Sequence, residues 1–270
     1  MATARSAEER AVIRVAGDGA RDFLHDLVTT DVVGLAAGAA RYGALLTPQG
    51  KYLADFVMIG EPDAVLIDVD ASQAAGLTQR LIMYRLRRKI AIGDAGLSVV
   101  QIWGDGAAEA AAATGGAAVR DPRGAAFGWR VYAADTGAAL VATGADVADR
   151  AAWDALRVAE ALPEPGTELG AESYVLEFGF ERLGGVDFRK GCYVGQEIVA
   201  RMKHKTELRK GMARVAIDGD AGPGAQIINA DGKPVGVLGT VAGGEGLAHL
   251  RFDRADGELR AGDAVLRRIG

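Results

Sequence analysis

The sequence has only one cysteine, Cys192, among its 270 residues. A single cysteine cannot form an intramolecular disulfide, and by itself it cannot supply the set of thiolates that holds a structural metal or a cluster. The three histidines, His25, His204 and His249, are scattered along the chain, and no CxxC or HExxH pattern occurs. We therefore expect no resident metal site. We expect Cys192 to act either alone or together with a molecule that binds to the protein.

The sequence also lacks a long hydrophobic run and an excess of positive charge. No stretch approaches the roughly 18 apolar residues of a transmembrane helix, and residues 1–10 do not resemble a signal peptide. Together with the single cysteine, this predicts a cytosolic protein that does not contact membranes. The formal net charge of −5 argues against nucleic-acid binding, which usually requires a basic domain.

Hydrophobic periodicity predicts an α+β fold in the first part of the chain. Ala20, Phe23, Leu24, Leu27 and Val28 recur at helical spacing and predict an amphipathic helix that faces a sheet. The predicted order of strand, helix, three strands, helix and strand is close to the split βαβ unit of ferredoxin-like modules. The predicted strands are residues 12–15, 42–46, 52–59, 65–69 and 97–103, and the second predicted helix is residues 71–88.

The rest of the chain predicts a second α+β module and a β-rich tail. Beyond Lys210, short apolar runs alternate with Gly/Asp turns, which is typical of a small β-barrel. The elements predicted before it are a helix after residue 105, strands at 127–132 and 139–142, and a helix over 145–162 that prolines end. The predicted domains are residues 1–104, 105–210 and 211–270.

Cys192 belongs to the octapeptide Lys190-Gly191-Cys192-Tyr193-Val194-Gly195-Gln196-Glu197. Its two glycines can adopt backbone angles that other residues resist, so we expect a tight turn around the thiol. The apolar spacing after Val194 predicts a helix that begins near Gly195. Cys192 would then precede a helix N-terminus, where free N–H groups and the charge of Lys190 favour the thiolate.

The same helix predicts two side-chain relationships. Glu197 and Arg201 are four residues apart and would pair on one helix face, and Tyr193 and Glu197 have the same spacing. The simpler interpretation is that Cys192 is a small buried residue and that the glycines only form turns, as with many free cysteines. Exposure of the thiol separates the two interpretations.

Two basic clusters stand out in this acidic sequence. Cations near a helix C-terminus also complement the helix dipole, so a structural role is the simple alternative. As a functional feature, the clusters would bind a ligand with several carboxylates or phosphates. The first cluster is Arg80, Arg85, Arg87, Arg88 and Lys89, and the second is Arg201, Lys203, His204, Lys205, Arg209 and Lys210.

The octapeptide and the following Ile198-Val199-Ala200-Arg201 resemble the signature of the YgfZ family, which are folate-binding proteins of iron–sulfur cluster assembly and repair. The resemblance extends over about residues 12 to 210 and implies the fold of the glycine-cleavage aminomethyltransferase, or T-protein. That fold is a cloverleaf of two ferredoxin-like α+β modules and a C-terminal small β-barrel. The other matching segments are Phe23-Leu24 with Thr29-Thr30-Asp31-Val32, Pro48-Gln49-Gly50-Lys51, Tyr84-Arg85-Leu86-Arg87-Arg88-Lys89, and Leu156-Arg157 with Leu162-Pro163.

The resemblance implies a tetrahydrofolate-binding accessory protein for the assembly, insertion or repair of iron–sulfur clusters. Cys192 would be its reactive thiol and a transient ligand of a cluster, and Lys190 would keep the thiol ionised. The implied partners are folate and iron–sulfur client or assembly proteins. The residues expected around the folate are Asp31, Gln49, Tyr84, Arg85, Arg157, Tyr193, Gln196, Glu197 and Arg201.

A folate-dependent aminomethyl or one-carbon transferase is the alternative function, and a binding scaffold with a structural Cys192 is a third. The aminomethyltransferase has a carboxylate where Ala159 stands, and Glu160 is one residue late, which turns its side chain by about 100 degrees on a helix. Asp70 stands in place of an asparagine, and alanines occupy the place of the catalytic aspartate, at Ala74 and Ala75. These departures argue against aminomethyl transfer.

Two departures from the YgfZ pattern are expected to be minor. Lys205-Thr206 stand where the family usually has Arg-Gly, which keeps the positive charge. Ala161 stands where the family has a glycine, at a position that we expect to be helical.

Overall fold

The computed structural model of the chain describes residues 1–204 and 208–269. The chain divides into two compact units. The first consists of Met1–Gln49, Leu53–Asp149 and Glu181–Gln196, and the second of Gly50–Tyr52, Arg150–Phe180 and Glu197–Gly270. The departure noted at Lys205 and Thr206, and the Lys205 member of the second basic cluster, lie outside the described residues.

The first unit contains two five-stranded sheets. The strands of this unit are β1 (Ala2–Ser6), β2 (Arg10–Ala16), β3 (Ala40–Leu46), β4 (Tyr52–Gly60), β5 (Ala64–Asp70), β6 (Ala91–Asp94), β7 (Ser98–Gly104), β8 (Ala117–Arg120), β9 (Trp129–Ala133) and β10 (Asp146–Val147), although Tyr52 itself belongs to the second unit. The first sheet has the order β3-β4-β5-β2-β6, and the second sheet has the order β10-β1-β7-β9-β8. The helices of this unit are α1 (Ala20–His25), α2 (Ala71–Arg85), α3 (Ala107–Ala113) and α4 (Thr136–Thr143).

The core of the first sheet follows the predicted apolar pattern. Phe23 and Leu24 of α1 and Leu77 and Leu81 of α2 are buried in one cluster with alternate residues of β2, β4 and β5. Helix α1 ends at His25, so Val28 is buried beyond the helix rather than on it. The apolar faces of both helices thus cover the sheet as amphipathic spacing requires.

A buried ion network lies in the first unit and involves both of its sheets. Asp68 of β5 accepts a hydrogen bond from Arg10 at 2.6 Å and one from Arg130 of β9 at 2.7 Å. Arg130 also donates to Asp121 at 3.0 Å, and Arg123 donates to Asp121 at 2.6 Å. Each carboxylate is therefore matched by two guanidinium groups, which makes its burial tolerable.

The second unit contains helices and a closed barrel. Helix α5 spans Arg150–Ala159 and helix α6 spans Gln196–His204, of which Gln196 belongs to the first unit. The barrel has the strand order β11-β14-β13-β12-β15-β16. Its strands are β11 (Lys210–Asp218), β12 (Gln226–Asn229), β13 (Pro234–Ala242), β14 (Glu245–Arg251), β15 (Leu259–Ala261) and β16 (Ala264–Ile269). The predicted α+β class with a C-terminal β-barrel is confirmed.

Three element predictions are wrong. Residues 139–142 are not a strand but part of α4, which begins after Asp135 caps the backbone N–H of Ala138 at 3.0 Å. The last helix before the prolines begins at Arg150 and not at 145, because residues 146–147 form β10. Strand β7 does not complete the first sheet, since it pairs with β1 and β9 of the other sheet. The division into three domains and its two boundaries stay predictions.

Candidate functional site

The segment that carries Cys192 is anchored to the first unit through Thr29. The Thr29 hydroxyl donates to the carbonyl of Gly185 at 2.6 Å, and the N–H of Asp187 donates to the carbonyl of Thr29 at 2.9 Å. The same hydroxyl accepts from the N–H of Ala44 in β3 at 2.8 Å. The fully buried Thr29 therefore links the residues just before the octapeptide to the first sheet.

Lys190 anchors the octapeptide itself. Its ammonium donates to the backbone carbonyls of His25 and of Val28, the latter at 2.7 Å. Burial lowers the pKa of Lys190 to about 8, although the carboxylates of Asp31 and Asp26 oppose the shift. Lys190 thus holds the octapeptide against the end of α1, and its proposed effect on the thiol stays a prediction.

Cys192 is exposed. The interpretation of a small buried residue is therefore wrong. Helix α6 begins at Gln196, directly after Gly195, whose φ of 84° is one that glycine adopts without strain. Gly191 has no positive φ, so only one of the two glycines is required by its backbone angle. The thiol thus lies on an anchored loop that leads into a helix, and it is open to a partner.

Tyr193 forms the inner side of this loop. Its ring is buried and lies 4.9 Å from the ammonium of Lys190, a cation–π distance. Burial, and then the charge of Asp187, raise the pKa of Tyr193 to about 12. Tyr193 precedes α6, so the predicted helical relationship between Tyr193 and Glu197 is wrong.

Two other residues expected around a folate lie in the first unit near solvent. Asp31 is half-buried, and its carboxylate lies 3.1 Å from His25 and 3.3 Å from Arg41. Gln49 is exposed in the turn between β3 and β4. Gln196 donates weakly to the carbonyl of Gly191, at 3.4 Å, which places its amide at the base of the cysteine loop.

Tyr84 and Arg85 lie at the end of α2. Tyr84 is half-buried and packs against the core of the first sheet. Arg85 donates to the carbonyl of Ile90 at 2.9 Å and so closes the turn after the helix. Both residues therefore have structural contacts in addition to any ligand that they would hold.

Arg157 is the most enclosed of the expected folate residues, with 1% of its surface exposed. It donates to Thr240 at 2.7 Å, to the carbonyl of Leu162 at 2.9 Å and to Asp154 at 3.1 Å. Glu168 lies 3.4 Å away and also accepts from Thr240. All three guanidinium nitrogens thus have partners within the second unit.

The predicted pair of Glu197 and Arg201 is confirmed at 2.7 Å, and both side chains are exposed. His204, the last residue of α6, is exposed. His249 lies in barrel strand β14, stacks on Phe178 with ring centroids 4.8 Å apart, and lies 3.1 Å from Glu177.

The positions that bear on aminomethyl transfer have other roles or none. The side chain of Asp70 caps α2 by accepting from the N–H of Ser72 at 2.9 Å. Ala159 is exposed at the end of α5. Ala161 has a φ of 48°, so the expectation that it is helical is wrong. It follows the helix in the left-handed region, where glycine is favoured.

The sequence missed the acceptors of Lys190. His25 and Val28 accept through backbone carbonyls, which every residue type has, so their side chains could not indicate this role. The neighbouring segment Thr29-Thr30-Asp31 is one of those that resemble the YgfZ family.

In residues 1–204 and 208–269 no group of three or more His, Cys, Asp or Glu side chains could hold a metal ion. Within the same residues, no helix has the length and apolar character to cross a membrane.

The fold is that of an aminomethyltransferase. The structure matches the glycine cleavage system aminomethyltransferase T of Bartonella henselae with a TM-score of 0.82 over 99% of this chain and 84% of that one, at 15% identity. At this identity the likeness shows the fold alone. Residues 209–269 match the model of the C-terminal β-barrel domain of CAF17, which includes all six barrel strands.

The sequence relatives are more specific than the fold. The chain is 33% identical to the human mitochondrial iron–sulfur cluster assembly factor IBA57 over 93% of this chain and 78% of that protein. It is 32% identical to the mouse protein, with the same coverage. The chain therefore belongs to the IBA57 family of iron–sulfur cluster assembly factors. Because these relatives are mitochondrial by name, the prediction of a cytosolic location is contradicted.

Proposed function

We propose that the protein is an accessory factor for the assembly, insertion or repair of iron–sulfur clusters, with Cys192 as its working thiol and a tetrahydrofolate as its cofactor. Membership of the IBA57 family supports the first part. The observation that carries the role of the thiol is that the only cysteine is exposed on a loop that Lys190 and Thr29 anchor. The YgfZ-like signature supports the cofactor.

The proposed chemistry of Cys192 is ligand exchange on a cluster that is cargo. The thiol gives its proton to water, and the sulfur replaces one ligand of an iron atom. Lys190 holds the loop in place, and a cation near a cysteine would favour the thiolate form that binds iron. A cluster requires further ligands, which the single cysteine leaves to glutathione, a partner protein or a second copy of the chain.

The residues of the first unit fit a folate in their chemistry. Asp31 supplies a carboxylate that can accept from pterin N–H groups, Gln49 and Gln196 supply amides, and Tyr193 supplies a ring. Arg157 is left out of this set because its donors already have partners. When bound, a tetrahydrofolate supplies a reduced pterin with redox and one-carbon chemistry. Asp31 and the amides would orient it.

Aminomethyl transfer is not the function we propose. The aminomethyltransferase fold is compatible with it. However, the exposed Ala159 offers no carboxylate, and Asp70 is engaged as a helix cap. Release of formaldehyde from an aminomethyl carrier protein at a robust rate would overturn this choice.

The thiol role is tested by complementation. Cells that lack this factor would express the wild type, Cys192→Ala, or the matched control Ser98→Ala, and the activity of cluster-dependent enzymes would be measured. We expect Cys192→Ala to fail while unfolding at the same denaturant concentration as the wild type, because the side chain is exposed. Full complementation by this variant would exclude the thiol role.

The folate role is tested separately by titrating tetrahydrofolate into wild type and into Asp31→Asn and following tryptophan fluorescence. Saturable quenching that weakens about tenfold in the variant is the expected result, since one charge-assisted hydrogen bond is lost. No binding by the wild type at millimolar ligand would exclude folate as the cofactor without affecting the thiol test.

A further inference from the structure

The turn that follows α2 has an unusual backbone for its sequence. The N–H of Arg88 donates to the carbonyl of Arg85 at 3.0 Å, which closes a four-residue turn. Leu86, its first central residue, has φ 52° and ψ −116°. These angles match the first central position of a type II′ turn, where glycine is normally required. A leucine here costs conformational energy that glycine would not cost.

Burial of the Leu86 side chain does not offset this conformational energy. It is 84% exposed, and Met83, one turn back on α2, is 60% exposed. Ile82 is also partly exposed on the same end of the helix. A strained, exposed leucine beside a second exposed apolar side chain forms an apolar tip that has no function in the folded chain alone.

The apolar tip is surrounded by positive charge. Arg88 is paired with Asp26 at 3.1 Å, and Arg85 is engaged by the carbonyl of Ile90. Arg87 and Lys89 are exposed and have no ion pair within the part of the chain that the structure describes. Two uncompensated cations in a protein of net charge −5 define a local positive surface.

We propose that this tip, made of Met83, Leu86, Arg87 and Lys89, is a docking surface for a protein partner that presents an apolar pocket bordered by carboxylates. Leucine and methionine would fill the pocket, and the two cations would pair with its acidic border. A folate tail of several glutamates would use the cations, but it offers nothing for the two apolar side chains. The inference goes beyond the proposed function and does not depend on Cys192 binding iron.

The position of the tip suits a partner that acts at the cysteine loop. Arg88 pairs with Asp26, and the adjacent carbonyls of His25 and Val28 hold Lys190. Residues 25–28 therefore contact both the turn and the loop. The tip is therefore connected through residues 25–28 to the lysine that anchors the cysteine loop.

The test uses a fluorescein-labelled helical-hairpin peptide whose leucine-lined groove is bordered by glutamates, and a second peptide with lysine in place of every glutamate. Binding to the full chain is measured by fluorescence anisotropy at low and high salt. We expect the glutamate peptide to bind with a salt-dependent affinity and the lysine peptide not to bind. Leu86→Gly keeps the turn and removes the side chain, so the affinity of this variant for the glutamate peptide should fall about tenfold. The midpoint of its thermal unfolding should rise, because glycine adopts the positive φ without strain.

The controls separate docking from structural effects and from a folate tail. Val141→Gly removes an equally exposed apolar side chain on α4 and should leave peptide binding unchanged. Arg87→Glu with Lys89→Glu should abolish binding of the glutamate peptide. Wild-type affinity in Leu86→Gly would overturn the proposal, and so would displacement of the peptide by pteroylpentaglutamate at similar concentrations.

Discussion

The ammonium of Lys190 donates to the backbone carbonyl of Val28 across 2.7 Å, and a second bond to His25 completes the contact. This relationship connects the octapeptide to the end of α1 through the main chain. The side chain of Lys190 therefore determines where the exposed thiol of Cys192 lies. It does so from a buried position, which is unusual for a lysine.

Replacing this lysine should loosen the loop and destabilise the protein. In Lys190→Met two carbonyls lose their donor, and we expect the free energy of unfolding to fall by about 1–3 kcal/mol. Alkylation of Cys192 by iodoacetamide should slow, because the thiolate loses a nearby cation. Denaturant unfolding and the alkylation rate measure the two effects. Lys233→Met, at an exposed lysine of the barrel, is the control and should change neither.

Ala161 offers a way to stabilise the second unit. Its N–H donates to Val158, and the N–H of Leu162 donates to Arg157, so residues 157–162 form a Schellman motif with Ala161 at the left-handed position. Ala161→Gly should raise the free energy of unfolding by about 0.5–1 kcal/mol, since relief of strain exceeds the added chain entropy.

The matched control for Ala161 is two residues earlier. Ala159 is the last residue of α5, so Ala159→Gly should lower the free energy of unfolding by about 0.5–1 kcal/mol. Thermal unfolding of both variants would give opposite shifts. Shifts of the same sign would show that the backbone angle of Ala161 does not determine its contribution.

The buried ion network predicts a specific pH dependence. Burial by itself would raise the pKa of Asp121, but the charge and hydrogen bonds of Arg123, together with Arg130, hold that pKa well below its usual range. Unfolding then takes up a proton at acid pH. The stabilisation is complete above the unfolded pKa of about 3.9 and is lost as the pH falls towards the folded pKa.

Asp121→Asn tests this sign. At pH 7 the variant should be less stable by about 3–5 kcal/mol, because two buried guanidinium groups lose a charged partner. The difference from wild type should narrow in urea unfolding at about pH 3, where the unfolded carboxyl is already protonated. An equal difference at both pH values would contradict the low pKa. Asp231→Asn, at an exposed residue, should show no such trend.

The role of Arg157 can be determined by measuring the free energy of unfolding and the affinity for tetrahydrofolate separately. Arg157→Met would leave Glu168 and Asp154 without a buried cation, and we expect it to lose about 3–5 kcal/mol of unfolding free energy. In the folded variant, affinity for tetrahydrofolate should stay at the wild-type value. Arg150→Met, at a half-exposed arginine, should cost at most about 1 kcal/mol. A selective loss of folate affinity would restore Arg157 to the binding site.

Patterns with a clear period could be predicted from the sequence, and short or non-local features could not. The apolar face of α1 at Phe23 and Leu24 and the Glu197–Arg201 pair follow directly from helical spacing. Helix α4 was missed because its four central apolar residues fit a strand equally well, although Asp135 was available as a capping signal.

The candidate site shows the same division. The exposed thiol in a turn before α6 agrees with the functional interpretation of the octapeptide. The anchoring of Lys190 could not be predicted, because its acceptors are main-chain atoms more than a hundred residues away in sequence. The strain at Leu86 is hidden for a related reason, since leucine gives no signal of a positive φ.

Strand β1 pairs with β7 from Ala2–Gly104 to Ser6–Val100, so the strand that β1 pairs with is complete only when residue 104 has been synthesised. The other sheet of this unit ends with β6 at Asp94. During synthesis on the ribosome, all of its strands are therefore present before β1 has a strand to pair with. Strand β1 can therefore join its own sheet only after all the strands of the other sheet have been synthesised. A chaperone or a tag that holds Ala2–Ser6 would delay one sheet of the first unit and leave the other free to form.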